Sequence, residues 1–457
     1  MDSKKNTSRR QFIKLSAAGG AGLMMGAMGF SKTSYSRILG ANDRINVGAV
    51  GFSDRFKASL LPSFVSSSKA LNFDLIAVSD IWNRRREEGA AHIAKQIGHS
   101  VKACVNNDEL YAIKDLDAVI IGTADFQHAY HTVEAIENDC DVYCEKPFAE
   151  TMSDAKKALK AVKASNKIFQ VGTQRRSGSN YHAAAEFIQA GKFGPITIVE
   201  MCWNVNQPGR WRRPDLVSSI RESDTDWGRF LVSRPKDRWD PRKYLEYRLF
   251  WPYSSGIFGQ WMTHQIDTVH WFSGLQRPRN VVANGGIYQW KDGRTNADTL
   301  TAVFEYGPED KPGDGFQVVY SSRFHNSAGG TKELYYSNGG MIDIDNNQVS
   351  PKGGLGENHA KAMGMEPNLL PEMKLTAQAQ KVETGANTGG DVLTWSHMRN
   401  WMECVRSRNK ATNAPIEAAY SHSVALIMAN AAYRTGEKAT FDEKKQEVMV
   451  GNKVFTY

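Results

Sequence analysis

The sequence predicts an α/β protein in two parts: a doubly wound parallel sheet, then an α+β domain built on an open, mostly antiparallel sheet. Three observations carry this. Short apolar runs at 45–50, 73–79, 118–121, 141–144 and 168–171 alternate with helical periodicity, as at Ala129 to Glu137 and Ser153 to Ala164, the pattern of strands joined by crossover helices. Beyond about residue 173, longer runs alternate apolar and polar residues between Gly and Asn turns (196–205, 280–288, 300–306, 316–322 and 333–337), as strands of an antiparallel sheet do. A chain of 457 residues is also too long for one core, at about 150 residues per domain.

In chain order, the first element is Ser8-Arg9-Arg10-Gln11-Phe12-Ile13-Lys14 followed by a Gly/Ala/Met-rich stretch from Leu15 to Phe30. It reads as a twin-arginine export signal. The stretch is short and glycine-rich against the roughly 20 strongly apolar residues of a membrane span, so no permanent span is expected after export, and the expected location is the periplasm. Ser34-Tyr35-Ser36 is the best of poor cleavage sites, and no lipobox cysteine is present. The boundaries that follow are 1–43 for signal and linker, 44–172 for the parallel-sheet domain and 173–457 for the α+β domain. That second domain has a surface excursion at 351–390 and a helical tail at about 391–434.

The net charge of +8 hints at nucleic acid, but the first 43 residues hold seven cations against two carboxylates, leaving +3 for the remainder. No nucleic-acid partner is therefore expected. Five cysteines (104, 140, 144, 202 and 404) make no metal-binding spacing and read as small buried apolar groups. His264 and His270 do not share a helical face, so no metal site is expected.

The strands set their C-terminal ends at Gly51, Asp80, Thr123, Glu145 and Lys146, along the edge where open α/β sheets bind ligands. Lys146 precedes Pro147, which biases it toward extended backbone and leaves its ammonium free to enter a crevice. There it can donate a proton or polarise an oxygen. A strand, a glycine turn, a helix and an acidic residue ending the next strand form the Rossmann dinucleotide-binding arrangement. The glycine fingerprint is altered, with Ser53 at its second glycine and Phe56 at its third. Ser53 is small enough for a pyrophosphate to approach; Phe56 must change how the helix packs on the strand. Asp80 favours NAD through its ribose, while Arg84, Arg85 and Arg86 are close enough to take the 2′-phosphate of NADP.

Glu145-Lys146-Pro147, Thr123-Ala124-Asp125-Phe126-Gln127-His128, Gly172-Thr173-Gln174-Arg175-Arg176 and the run from Gly259 to Asp267 together resemble the glucose-fructose oxidoreductase, inositol dehydrogenase and MocA (Gfo/Idh/MocA) family. The resemblance covers nearly all the chain after the signal. It implies a Rossmann domain paired with an open-sheet domain, NAD or NADP as cofactor, and oxidation or reduction of a secondary alcohol of a sugar or cyclitol. By position it makes Lys146 and His264 catalytic. Gly48, Gly51, Phe52, Ser53, Asp54, Arg55, Asp80, Thr123, His128, Glu145, Lys146 and Gln174 would be cofactor-binding, and Arg175, Trp211, Gln260, His264 and Asp267 substrate-binding. Family dehydrogenases often carry Asp four residues before the histidine, where this chain has Gln260. His264 should therefore be less basic, with Asp267 placed to compensate.

Seven of eleven tryptophans fall between Trp203 and Trp271, interleaved with Arg210, Arg212, Arg213, Asp215 and Tyr253. They suit a carbohydrate cleft as well as an ordinary core. The periplasm offers no obvious nicotinamide pool, so the cofactor is expected to stay bound. Sugar-to-sugar hydride transfer would then close the cycle, and so would glycoside hydrolysis or elimination through a transient keto-sugar. A non-catalytic sugar-binding protein is the third reading, motivated by Ser53, Phe56 and Gln260. A homo-oligomer is expected.

Overall fold

Six short strands form the first sheet: β1 (Ile45–Val50), β2 (Phe73–Ser79), β3 (Lys102–Cys104), β4 (Ala118–Ile121), β5 (Asp141–Cys144) and β6 (Phe169–Val171). The structure is a computed structural model that describes residues 43–377 and 391–456. The export signal and the end of the 351–390 excursion lie outside the described residues. The strand order is β3-β2-β1-β4-β5-β6, with every pair parallel, the doubly wound dinucleotide order. Strand β3 had no sequence signal, because three residues with two exposed side chains carry no apolar run.

Helices α1 (Leu61–Leu71), α2 (Asn83–Ile97), α3 (His128–Glu137) and α4 (Met152–Ala164) make the crossovers. Phe56 has the effect expected of it. It is fully buried, and the helix after the β1 turn opens with a π-helical turn, Phe56–Leu60, before α1 begins. The wider π turn accommodates a ring where a glycine fingerprint would bring helix and strand together. Gly89 of α2 yields to the neighbouring ring, since a Cβ there would lie 2.8 Å from Phe52 Cγ.

The second sheet has 11 strands among the described residues. At its centre are β7 (Ile198–Asn204), β8 (Asn280–Gly286), β9 (Thr299–Tyr306), β10 (Phe316–Arg323) and β11 (Thr331–Ser337). Neighbours are antiparallel except β7 and β10, which run parallel. Alternation is visible in β9, where Leu300, Ala302, Phe304 and Tyr306 are buried. Helix α5 (Thr263–Ser273), preceded by a second π turn at Phe258–Met262, carries the run from Gly259 to Asp267.

The two C-terminal helices close the core. Helix α6 (Val392–Ser407) lays Met398, Trp401, Met402 and Val405 on one face of the parallel sheet, against Val47, Ala49, Leu75 and Ile120. Ala414, Ile416 and Ala419, around the start of α7 (Ile416–Thr435), join the cluster on the other face. The first sheet is thus completed by residues more than 200 positions downstream, a closure that local periodicity does not show. Helix α7 is buried along nearly its whole length. Among the described residues no helix is long and apolar enough to cross a membrane.

Trp401 is fully buried, with ring centroids 6.3 Å from Phe73 and 5.8 Å from Tyr143. Trp401→Ala is expected to destabilise the protein by about 3–5 kcal/mol through the cavity it leaves, measured by urea denaturation. A loss under about 1 kcal/mol would show that α6 does not close the parallel sheet.

Candidate active site

Two adjoining cavities, of about 450 and 950 Å³, open along the carboxyl edge of the parallel sheet and share Ser53, Asp54, Arg55, Gly122, Thr123, Arg213 and Arg248. The smaller runs toward Asp80, Trp82 and Arg85; the larger reaches Glu145, Lys146, Gln174, Trp203, Arg210, Trp211, Gln260, Trp261 and His264.

The smaller cavity fits a dinucleotide. Gly51 has φ +84°, and a Cβ there would lie 2.9 Å from Thr123 Cγ2 and 3.2 Å from the Gly122 carbonyl, so only glycine lets this turn close on the next strand. Ser53 Oγ accepts from Phe56 N–H at 3.2 Å and so anchors the π turn. The Asp80 carboxylate accepts from the backbone N–H of Phe52 and of Trp82, each at 2.9 Å, and its remaining lone pairs can still accept from a ribose hydroxyl. Burial raises its pKa, opposed by those two bonds. Arg85 is bound to Asp54 at 3.0 Å, and Thr123 Oγ1 is buried without a partner. Gly48 does not touch the cleft: a Cβ on it would lie 2.9 Å from Leu110 Cδ1. Its role is to admit that leucine beneath β1.

At the junction of the cavities Glu145 Oε1 accepts from Arg55 Nε at 3.0 Å and from Gln174 Nε2 at 3.1 Å. A Cβ on Gly172 would lie 3.1 Å from the same carboxylate, so the glycine is there for room. Burial raises the Glu145 pKa, but the Arg55 and Lys146 charges outweigh it and the net shift is downward. Lys146 is not free in the crevice: its Nζ donates to the Gln260 carbonyl at 2.7 Å. Burial lowers its pKa to about 8, with Glu145 and Asp125 opposing the fall. The backbone of Gln260, rather than its side chain, therefore fixes the lysine. His128 forms part of the wall of the larger cavity, with Nδ1 2.7 Å from the Pro147 carbonyl and Nε2 3.2 Å from that of Thr123.

His264 lines the larger cavity and stacks on Trp203 at 5.7 Å. Its pKa lies well below the ordinary value, because of burial first and then the Lys146, Arg175 and Arg55 charges; its Nδ1 has no partner. A lowered basicity is present, with burial and the neighbouring cations as its cause. The proposed compensation is not: Asp267 accepts from Arg176 Nε at 2.7 Å and faces His422 at 3.8 Å, and it does not line the cleft. A carboxylate stands elsewhere. Gln260 Nε2 donates to Asp125, which also accepts from Ser254 Oγ at 2.7 Å. Asp125 lies in the Thr123–His128 motif, and its carboxylate comes beside Gln260 only when the two segments meet.

Arg175 is likewise not a cavity residue. It is buried in an ion pair with Glu333 and lies 5.7 Å from the Trp203 ring, bracing that indole from behind. Of the seven clustered tryptophans, Trp203, Trp211 and Trp261 line the larger cavity; Trp82, outside the cluster, lines the smaller. Trp203 and Trp261 lie parallel at 6.0 Å. Trp227 and Trp239 pack with Phe230 and Tyr244 in the core.

Fold and cleft thus define a Rossmann sheet joined to a second, mostly antiparallel sheet. Residues 45–173 match the Gfo/Idh/MocA model, "Oxidoreductase family, NAD-binding Rossmann fold". An uncharacterized oxidoreductase of Streptococcus pneumoniae is 28% identical over 130 residues, 28% of this chain and 35% of that protein. An inositol 2-dehydrogenase of Rubrobacter xylanophilus is 31% identical over 176 residues, 37% of this chain and 47% of that protein. The matches span about a third to a half of the length of these relatives. The WlbA dehydrogenase of Bordetella pertussis, solved with NADH and UDP-GlcNAcA, has the same fold at a TM-score of 0.60 and 15% identity, covering 87% of this chain and 99% of that one.

Gly172→Ala is expected to push the Glu145 carboxylate from its seat and weaken NADH binding by about tenfold, as displaced polar contacts do, measured by NADH fluorescence. Gly356→Ala, with nothing within 4 Å of the added Cβ, serves as control. Unchanged binding in Gly172→Ala would separate Glu145 from the cofactor.

Proposed function

We propose that the protein is an NAD(P)-dependent oxidoreductase that interconverts a secondary alcohol and a ketone on a carbohydrate. The observation that carries this reading is Lys146, fixed at 2.7 Å from the Gln260 carbonyl, in the same cavity as His264 and three indoles. Its depressed pKa, about 8, leaves it mostly charged at neutral pH and still able to give up its proton. His264 is a neutral imidazole under the same conditions and can accept a hydroxyl proton. Arg55 and Gln174 keep Glu145 in place for a ribose hydroxyl, and Asp80 stands at the far end of the cleft for the second ribose.

A bound nicotinamide would take up or supply the hydride. In the oxidising direction Lys146 stabilises negative charge growing on the substrate oxygen while His264 takes the hydroxyl proton; in reduction the proton returns. Trp203, Trp211 and Trp261 cover the apolar faces of the ring and exclude water. Export through the Arg9-Arg10 signal belongs to this reading, because an enzyme carried folded and loaded needs no cofactor pool at its destination.

Denaturing the purified protein is expected to release NAD or NADP in near-stoichiometric amount, identified by mass spectrometry. Mixing the loaded protein with a panel of sugars and cyclitols is expected to change the reduced-nicotinamide absorbance, and Lys146→Ala to slow that change by about 100-fold or more. Turnover as fast as the parent in Lys146→Ala would overturn the mechanism.

A further inference from the structure

The arginines around the larger cavity are almost all held by carboxylates. Arg55 is bound to Glu145 and Arg213 to Asp54; just outside, Arg212 is bound to Glu246 and Asp292, and Arg242 to Glu246. Arg248 faces Asp125 at 3.7 Å. Among the described residues Arg210 has no carboxylate within ion-pair distance. Its Nη1 donates to the neutral Gln207 side chain, its Nε is buried with no partner, and its guanidinium lies 5.1 Å from the Trp261 ring.

A guanidinium stacked on an indole keeps its in-plane N–H groups for a planar acceptor. Burial next to Arg248 and Arg213 lowers the Arg210 pKa to about 10, which marks the positive charge as unrelieved. The lining as a whole is cationic: Arg55, Lys57, Lys146, Arg210, Arg213 and Arg248 stand against Asp54, Glu145 and Asp391. The next residue, Trp211, which lines the same cavity, has φ +67°, a conformation bulky side chains rarely adopt.

We propose that the carbohydrate bound in the larger cavity carries an oxyanion, a carboxylate or a phosphate, and that Arg210 receives it beside Trp261. This rests on the carbohydrate reading above and narrows it to acidic sugars. Arg210 lines only the larger cavity, whereas Arg213 and Arg248 border both. Arg210 is thus absent from the smaller cavity, which runs to Asp80 and would take the adenosine end of a dinucleotide.

The test compares D-glucuronate, D-glucose 6-phosphate and D-glucose as ligands of the cofactor-loaded protein by calorimetry or saturation-transfer NMR. At least one acidic sugar is expected to bind tenfold or more tighter than glucose, and the preferred acid tells carboxylate from phosphate. Arg210→Gln should abolish that preference and Arg210→Lys should retain part of it, with circular dichroism confirming the fold of both. No preference among the three sugars, including no binding by any, would overturn the proposal. So would an Arg210→Gln variant that keeps the preference, or one that loses cofactor retention, since the arginine would then serve the dinucleotide. Acid-selective binding by a protein that releases no nicotinamide nucleotide would instead sink the oxidoreductase reading and leave Arg210 its ligand.

Discussion

The ion pair between half-buried Arg55 and buried Glu145 is the interaction on which the site depends. It ties the turn after β1 to the end of β5 at 3.0 Å, and it keeps a carboxylate ionised where burial would otherwise favour its neutral form. That charge in turn opposes the desolvation of Lys146 next to it. Removing one member of such a pair leaves the other buried and uncompensated, so glutamate, arginine and lysine form one electrostatic unit.

The two π turns give this unit its geometry. One begins with Phe56 directly after Arg55, and the other spans Phe258–Met262 just before His264. Each widens a helix at the place where the chain meets the cleft, in keeping with the frequent use of π turns at functional sites. Through the second, the Gln260 carbonyl receives Lys146 while its side chain reaches Asp125. The carboxylate missing at position 260 is thus supplied from the parallel-sheet domain, and it supports the lysine, while the histidine stays neutral.

Much of this was legible in the sequence because it is local. Strands β1, β2, β4 and β5 announce themselves as apolar runs, and Lys146, Glu145 and Thr123 follow from lying at their ends. What depends on distant partners was not legible. Asp267 is one turn from His264 in sequence, yet Arg176 and His422 claim it. Arg175 looked placed for substrate, yet Glu333 buries it. Gly48 looked like part of a fingerprint and instead makes room for Leu110. Trp401 completes the core of a sheet whose first strand lies some 350 residues earlier.

Lys146 is a half-buried cation whose proton is loosened by desolvation and kept by Glu145 and Asp125. Titration of the protein carrying lysine labelled with ¹³C at Cε, with the Lys146 signal assigned by its loss in Lys146→Arg, tests it most directly. A midpoint near pH 8 is expected, because burial lowers the lysine from its ordinary value to about 8. A midpoint at the ordinary lysine value of about 10.4 would contradict it.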